Sequence, residues 1–186
     1  GAAVLGETFH RQIHDISDSQ FKSKFDKDIM EMRGKMGIGV VSAVDEQPVY
    51  MNSRFGPFCL IMDGIINNSR ELASALLDRG ISFSAVGKGY VNLAELTAKL
   101  ITQGDCIVSG IEKMFDQING SCSLLLLHRD GIYAARDRHG HSSLAVGRNG
   151  DSWALASETS SFPNLNFEGE KFLRPGEIVL INEKGL

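Results

Sequence analysis

The chain has 186 residues, 42% of them apolar and 23% charged, with 23 acidic against 19 basic side chains and a formal net charge of -4. That composition supports one domain with a real core and excludes a disordered chain. The mild acidity leaves no electrostatic footprint for nucleic acid or an anionic membrane, no apolar run is long enough to span a bilayer, and no signal-peptide pattern is visible.

Ala2 to Leu5 and His10 to Ile16 read as a short hairpin. Asp18 then reads as the cap of a helix in which Phe21, Phe25, Ile29 and Met32 recur at helical spacing, and Gly34 stops it. Three strands follow, Met36 to Val44, Val49 to Asn52 and Phe58 to Met62, with a turn over Asn52 to Gly56. A second helix starts near Ser69 with Leu72, Leu76 and Leu77 turned inward, and Gly80 ends it. Ile81 to Tyr90 reads as a glycine-containing loop. A third helix from Asn92 carries Leu93, Leu96, Leu100 and Ile101, and a fourth carries Ile107, Ile111, Met114, Phe115 and Ile118. The remainder is strand-rich. "SCSLLLLH" (Ser121 to His128) is a continuous apolar run, as in a strand buried on both faces. "IYAAR", "LAVGR", "SWALAS" and "EIVLIN" follow, and the Asn149-Gly150 pair favours the tight turn of a hairpin. The pattern predicts a mixed α+β domain with antiparallel strands and two helical layers.

Generic chemistry is scarce. "VGKGYVN" lacks the spacing of a dinucleotide loop, and neither a phosphate-binding loop nor a serine elbow is present. His139 and His141, two residues apart, fit a polar surface loop better than a metal site. Cys59, Cys106 and Cys122 lack metal-ligand spacing and lie in or beside apolar stretches. They read as buried free thiols in a reducing, cytoplasmic compartment. No cofactor and no metal is expected.

One stretch stands out. In "LIMDGIIN" an acidic residue, Asp63, ends an apolar run and is followed by Gly64. Taken alone, Asp63 reads as the start of a turn leading to the helix near Ser69.

The order of several motifs resembles a known family. "GKMGIG", "DEQPVYMNSRFGPF", "LIMDGIINNSREL", "NLAEL", "INGSCSLLLL", "GIYAARDRHGHSSLAVG", "WALASE" and "LRPGEIVLINEKG" follow one another as in class II glutamine amidotransferase domains. Within that class the pattern is most similar to the glutamine phosphoribosylpyrophosphate amidotransferases of purine synthesis. The resemblance covers nearly all of residues 1–186. It implies the N-terminal-nucleophile hydrolase architecture, a four-layer sandwich of two antiparallel sheets between helical layers.

The same resemblance implies a degenerate pocket at Ser42, Asp63, Gly64 and Leu93. The family places an Asn-Gly pair at Asp63-Gly64, whose N–H groups form an oxyanion hole. Gly64 keeps its backbone donor, but a carboxylate only accepts hydrogen bonds. Loss of one such donor is worth about 2.7–4 kcal/mol in transition-state stabilisation. Ser42 falls at the substrate-gripping arginine, and a hydroxyl cannot replace a bidentate guanidinium. Leu93 falls at an aspartate that binds the substrate amino group. The family's nucleophile is an N-terminal cysteine acting with its own amine. Gly1 supplies none, and "GAAVLG" resembles the family's second strand, so the first strand and its cysteine are expected upstream. A phosphoribosyltransferase or other synthase domain is the implied partner, and the resemblance leaves room for a small-molecule ligand and self-association. The expectation is a pseudoenzyme with a structural or regulatory role. The alternatives are a glutaminase domain lacking its nucleophile strand, and a sensor reusing the pocket.

Overall fold

The computed structural model describes residues 1–84, 86–87 and 90–186. In chain order the elements are β1 (Ala2–Leu5), β2 (Phe9–Gln12), α1 (Phe21–Glu31), β3 (Met36–Gly39), β4 (Val49–Ser53), β5 (Gly56–Ile66) and α2 (Ser69–Asp78). Then come the two-residue strands β6 (Val86–Gly87) and β7 (Tyr90–Val91), α3 (Leu93–Ile101), α4 (Ile107–Gln117), β8 (Gly120–His128), β9 (Gly131–Ala135), β10 (Ala145–Asn149), β11 (Ser152–Ala156), β12 (Glu168–Phe172) and β13 (Ile178–Ile181). Every described strand pair is antiparallel.

A five-stranded sheet in the order β13-β9-β8-β5-β4 forms the centre. Its middle strands are apolar on both faces, because both faces are covered. On one face Phe58, Leu60, Leu124 and Leu126 pack against Leu96, Leu100, Ile111 and Met114 of α3 and α4. On the other, Cys59, Ile61 and Leu127 meet Ala3 and Ile38 of β1 and β3. Further along that face Ala134 and Ile181 meet Leu144, Val146 and Leu173 around β10. Full burial of each leucine, isoleucine, valine, methionine or phenylalanine among them contributes about 1.5–3 kcal/mol relative to exposure. The second layer is not one sheet. It consists of two three-stranded pieces, β2-β1-β3 and β11-β10-β12, with no described pairing between β3 and β11.

Several boundaries differ from the sequence expectation, each for a local reason. β3 stops at Gly39 instead of Val44, since its ladder to β1 runs out where Val40 bonds Gly1. Val41 and Val44 are consequently exposed. β2 ends at Gln12, short of Ile16. β5 is longer than Phe58 to Met62, because β8 pairs with it continuously from Cys59↔Leu127 to Ile66↔Gly120. α1 is not capped by Asp18. Gln20 precedes its first residue, without a side-chain capping bond. Of its four expected inward residues only Phe25 is buried; Phe21 stacks on it at 4.4 Å between ring centroids, and Ile29 is exposed. In α2, Ala73 and Leu76 face the core, and Leu77, one position further round the helix, does not. β12 was not foreseen, because all five of its residues are exposed and carry no apolar alternation. The expected loop Ile81 to Tyr90 carries β6 and the start of β7, and Ala85, Lys88 and Gly89 lie outside the described residues.

The cysteines divide. Cys59 and Cys122 are buried, and burial pushes both thiols up to about 12. Cys106, expected to be buried, is exposed. It stands just before α4 as its N-cap, where its sulfur accepts from the Ser109 N–H at 3.5 Å. Its side-chain hydrogen bond with Ser109 and the bond from the Ser109 backbone N–H hold its thiol below the ordinary value. A thiol-disulfide reagent at neutral pH should therefore titrate one cysteine in the native protein and three in denaturant. Mass spectrometry should place the native label on Cys106, and early labelling of Cys59 or Cys122 would contradict this packing.

Among the described residues, no helix is long and apolar enough to cross a membrane.

Candidate functional site

A cavity of about 560 Å³ opens where the two halves of the second layer face each other over the central sheet. Its floor is Ile61, Met62 and Asp63 of β5 with Ser123, Leu124 and Leu125 of β8. One wall is Gly39, Val40 and Val41 at the end of β3; the opposite wall is Leu155, Ala156 and Ser157 at the end of β11. Ser142, Ser143 and Leu144 close one side. Among the described lining residues only Asp63 is charged.

Asp63 does not start a turn. It lies within β5, paired with Ser123 of β8, and Gly64 follows it opposite Cys122. The strand carries an acidic residue here because β5 emerges from its cover: Met62 is buried and Asp63 is exposed. Gly64 has φ 149°, and a Cβ there would sit 2.1 Å from the Ser121 carbonyl oxygen. Only glycine fits this pairing without displacing β8.

The partner of Asp63 comes from the segment after β9. The Ser142 hydroxyl donates to Asp63 Oδ2 at 2.9 Å. Ser142 is held from both sides. Arg136 donates through Nε to the Ser142 carbonyl at 2.8 Å, and through its terminal nitrogens to the carbonyls of Leu173 at 2.6 Å and Gly140 at 3.0 Å. Asp137 is buried, and its carboxylate accepts the His139 N–H at 2.9 Å and the Ser142 N–H at 3.1 Å. The Asp137 N–H in turn donates to Ser123 Oγ at 3.0 Å, directly opposite Asp63 in the ladder. Burial pushes the Asp137 carboxyl up; the N–H bonds from Ser142 and His139, with His141 beside it, outweigh this and leave it below the ordinary carboxylate value.

Ser42 and Leu93 lie in a second cluster. Ser42 is exposed, and its Oγ accepts the Asp45 N–H at 3.2 Å. Asp45 Oδ2 accepts the N–H of Leu93, the first residue of α3, at 3.0 Å. A carboxylate at that helix start is favourable both as a cap and toward the helix dipole. The Leu93 side chain packs against the helical core. The two clusters are linked by the adjoining Gln47, whose buried Oε1 accepts the Met62 N–H at 2.8 Å, next to Asp63. Thus Asp63 lines the cavity, whereas Ser42, Gly64 and Leu93 are not among its lining residues.

Sequence reasoning missed Asp45, Asp137 and Ser142. The "RDRHGH" run reads as a polar loop, and its signal was the Asp-x-His pattern, in which a carboxylate bonds the N–H two residues on. His139 and His141 do face each other, at 5.7 Å between ring centroids. Among the described residues no three His, Cys, Asp or Glu side chains gather at one point.

Residues 33–164 match the family described as "Glutamine amidotransferase domain". The chain belongs to that family. Its relatives are of the amidophosphoribosyltransferase type. The enzyme of that name from Methanothermobacter thermautotrophicus is 29% identical over 160 residues, covering 82% of this chain and 34% of the relative. That from Methanocaldococcus jannaschii is 29% identical over 163 residues, with 83% and 34% covered. The human one is 27% identical over 159 residues, with 73% and 30% covered. The chain thus spans about a third of the length of the curated relatives it matches. Among solved structures, glutamine phosphoribosylpyrophosphate amidotransferase from B. subtilis, complexed with ADP and GMP, superimposes with a TM-score of 0.82 at 23% identity. It covers 99% of this chain, which covers 41% of it. A solved structure of the allosteric regulatory enzyme of purine biosynthesis gives 0.78 at 23% identity, with 90% and 37% covered. These two likenesses speak for the fold, which is the α+β, antiparallel, N-terminal-nucleophile hydrolase type that the sequence motifs implied. The division of the second layer is the feature by which this chain departs from a continuous two-sheet sandwich.

Proposed function

We propose that residues 1–186 form an amidotransferase domain that does not hydrolyse glutamine and instead has a structural or regulatory role, docking to or gating a partner domain. The observation that carries this reading is Asp63. At the position the resemblance gives to an oxyanion-stabilising asparagine, a carboxylate accepts a hydrogen bond from Ser142. An acceptor cannot stabilise developing negative charge. Ser42 and Leu93 support the same reading, since neither can bind the charged ends of an amino acid. The names of the relatives support a phosphoribosyltransferase or other synthase domain as the partner.

A second reading is a glutaminase whose cysteine-bearing strand is supplied from outside residues 1–186. The open gap between β3 and β11 favours it.

The purified chain should release no ammonia from glutamine above buffer background, and a glutamine-mimicking electrophile should label no cysteine. Labelling of one cysteine at one equivalent, blocked by glutamine, would overturn the first reading.

A further inference from the structure

We propose that His139 and His141 form a two-histidine site for a tetrahedral divalent metal ion of the Zn(II) class, on the exposed turn that follows β9. The site goes beyond the docking reading and stands whether or not the domain hydrolyses glutamine.

Spacing in the sequence favours a polar loop here. The fold adds three features that spacing does not contain. The first is ring placement. Gly140, between the two histidines, has φ 71°, a left-handed backbone that L side chains rarely adopt. Its N–H donates to the Asp137 carbonyl at 3.2 Å and closes the turn. Both histidines are exposed, with their rings 5.7 Å apart between centroids and 72° between planes. Two imidazoles on one tetrahedral ion, each nitrogen about 2.0–2.1 Å from the metal and each ring centre about 1 Å further back, have centroids about 5 Å apart. Adjacent positions of a square-planar ion bring the centroids to about 4.5 Å, further from what the turn presents. The small remaining difference is within the range of side-chain rotation for exposed rings.

The second feature is orientation. His141 Nδ1 faces the buried carboxylate of Asp137, 3.5 Å from Oδ1. A carboxylate in that place favours the proton on Nδ1 and leaves the lone pair on Nε2, the far side of the ring. Metal-ligating histidines are oriented by outer carboxylates in this way. Asp137 is committed to the N–H groups of His139 and Ser142, so it acts as an outer partner and not as a ligand.

Availability is the third. The His139 ring makes no hydrogen bond or ion pair among the described residues, and its ring contact is with His141. His14 and His128, by contrast, are taken up by Asp28 and by the Phe55 carbonyl. No third His, Cys, Asp or Glu gathers at this point among the described residues, so water completes the coordination and the ion exchanges readily. A bound ion ties the two sides of Gly140 together. It thereby stiffens the turn that holds Ser142 on Asp63.

The test titrates Zn(II) by calorimetry into the chelator-treated 1–186 chain and its His139→Ala, His141→Ala and Cys106→Ser variants at neutral pH. Both histidines are exposed, so the alanine variants should keep the fold, which circular dichroism checks. Cys106 is included because its exposed thiol is a competing zinc ligand. The parent chain and Cys106→Ser should each take up one equivalent with the same affinity. Each histidine variant should bind at least about tenfold more weakly, since losing even an outer partner costs that much in known sites. Zinc should also shift the ring proton resonances of His139 and His141 and slow hydrogen exchange at the Ser142 amide in the parent chain alone. No uptake at millimolar zinc overturns the proposal. So does uptake unchanged in the histidine variants, which would be an adventitious ion only, or uptake lost in Cys106→Ser. Half an equivalent with dimerisation overturns a site built within one chain.

Discussion

Glutamine should produce no binding heat with the 1–186 chain up to millimolar concentration, and no single reversal should restore its hydrolysis. Among the described residues, the cavity offers one charged group, Asp63, and no cation for the substrate carboxylate. Ser42, where the resemblance expects the gripping arginine, is spent on the Asp45 N–H and faces solvent. Leu93 is built into the helical core, and its N–H is taken by Asp45. Asp63→Asn would restore a donor at one position only. It should leave ammonia release at zero, because catalytic groups acting as a unit do not contribute additively. Activity should require Ser42→Arg, Asp63→Asn, Leu93→Asp and a cysteine-bearing amino-terminal strand together. Of these, Leu93→Asp is the most disruptive, since it sets a second carboxylate beside that of Asp45. Titration calorimetry that shows millimolar or tighter glutamine binding, abolished by changes at these residues, would sink the degenerate reading.

The sequence made the central layer legible. The apolar runs around Leu60 and Leu124 had to be buried on both faces, and the helical spacings of Leu96, Leu100, Ile111 and Met114 supplied one cover. What it hid were features decided by neighbours. β12 is exposed along its length and pairs with β10 through backbone bonds that carry no side-chain signature. α1 shows a good apolar period, yet only Phe25 is buried, packed between the rings of His14 and Phe21, and Ile29 and Met30 are left exposed. The candidate site was legible in part. Asp63 was conspicuous as an acid in an apolar run, but its place in a strand depended on β8 extending to Gly120. Its hydrogen-bond partner, Ser142, lies 79 positions away, and no local pattern could join the two. The gap between β3 and β11 is a matter of sheet order, which residue periodicity does not encode.

Replacing Asp137 should cost more stability than any other change around the cavity that leaves the hydrophobic core intact. Its carboxylate is buried and accepts the His139 and Ser142 N–H groups, so Asp137→Ala leaves two donors without their partner. Each such loss costs about 1–3 kcal/mol. Asp137→Asn should fare little better, since its amide NH2 would confront one of those N–H donors. The pH dependence separates this from a plain packing defect. The folded-state carboxyl lies below its ordinary value: burial raises it, but the bonds from Ser142, His139 and His141 more than offset that. A carboxylate of this kind contributes stability that is present above the unfolded value of about 3.9 and is lost as pH falls through the lower folded value. Urea midpoints of the wild-type and Asp137→Asn chains should therefore differ most above pH 5 or so and converge as pH falls below about 4. The same substitution should free the 137–142 turn and raise hydrogen exchange at the Ser142 amide, because the Ser142–Asp63 contact is held in place by this turn. A gap in midpoint that is constant across the acid range would show that the carboxylate's charge is not what holds this turn.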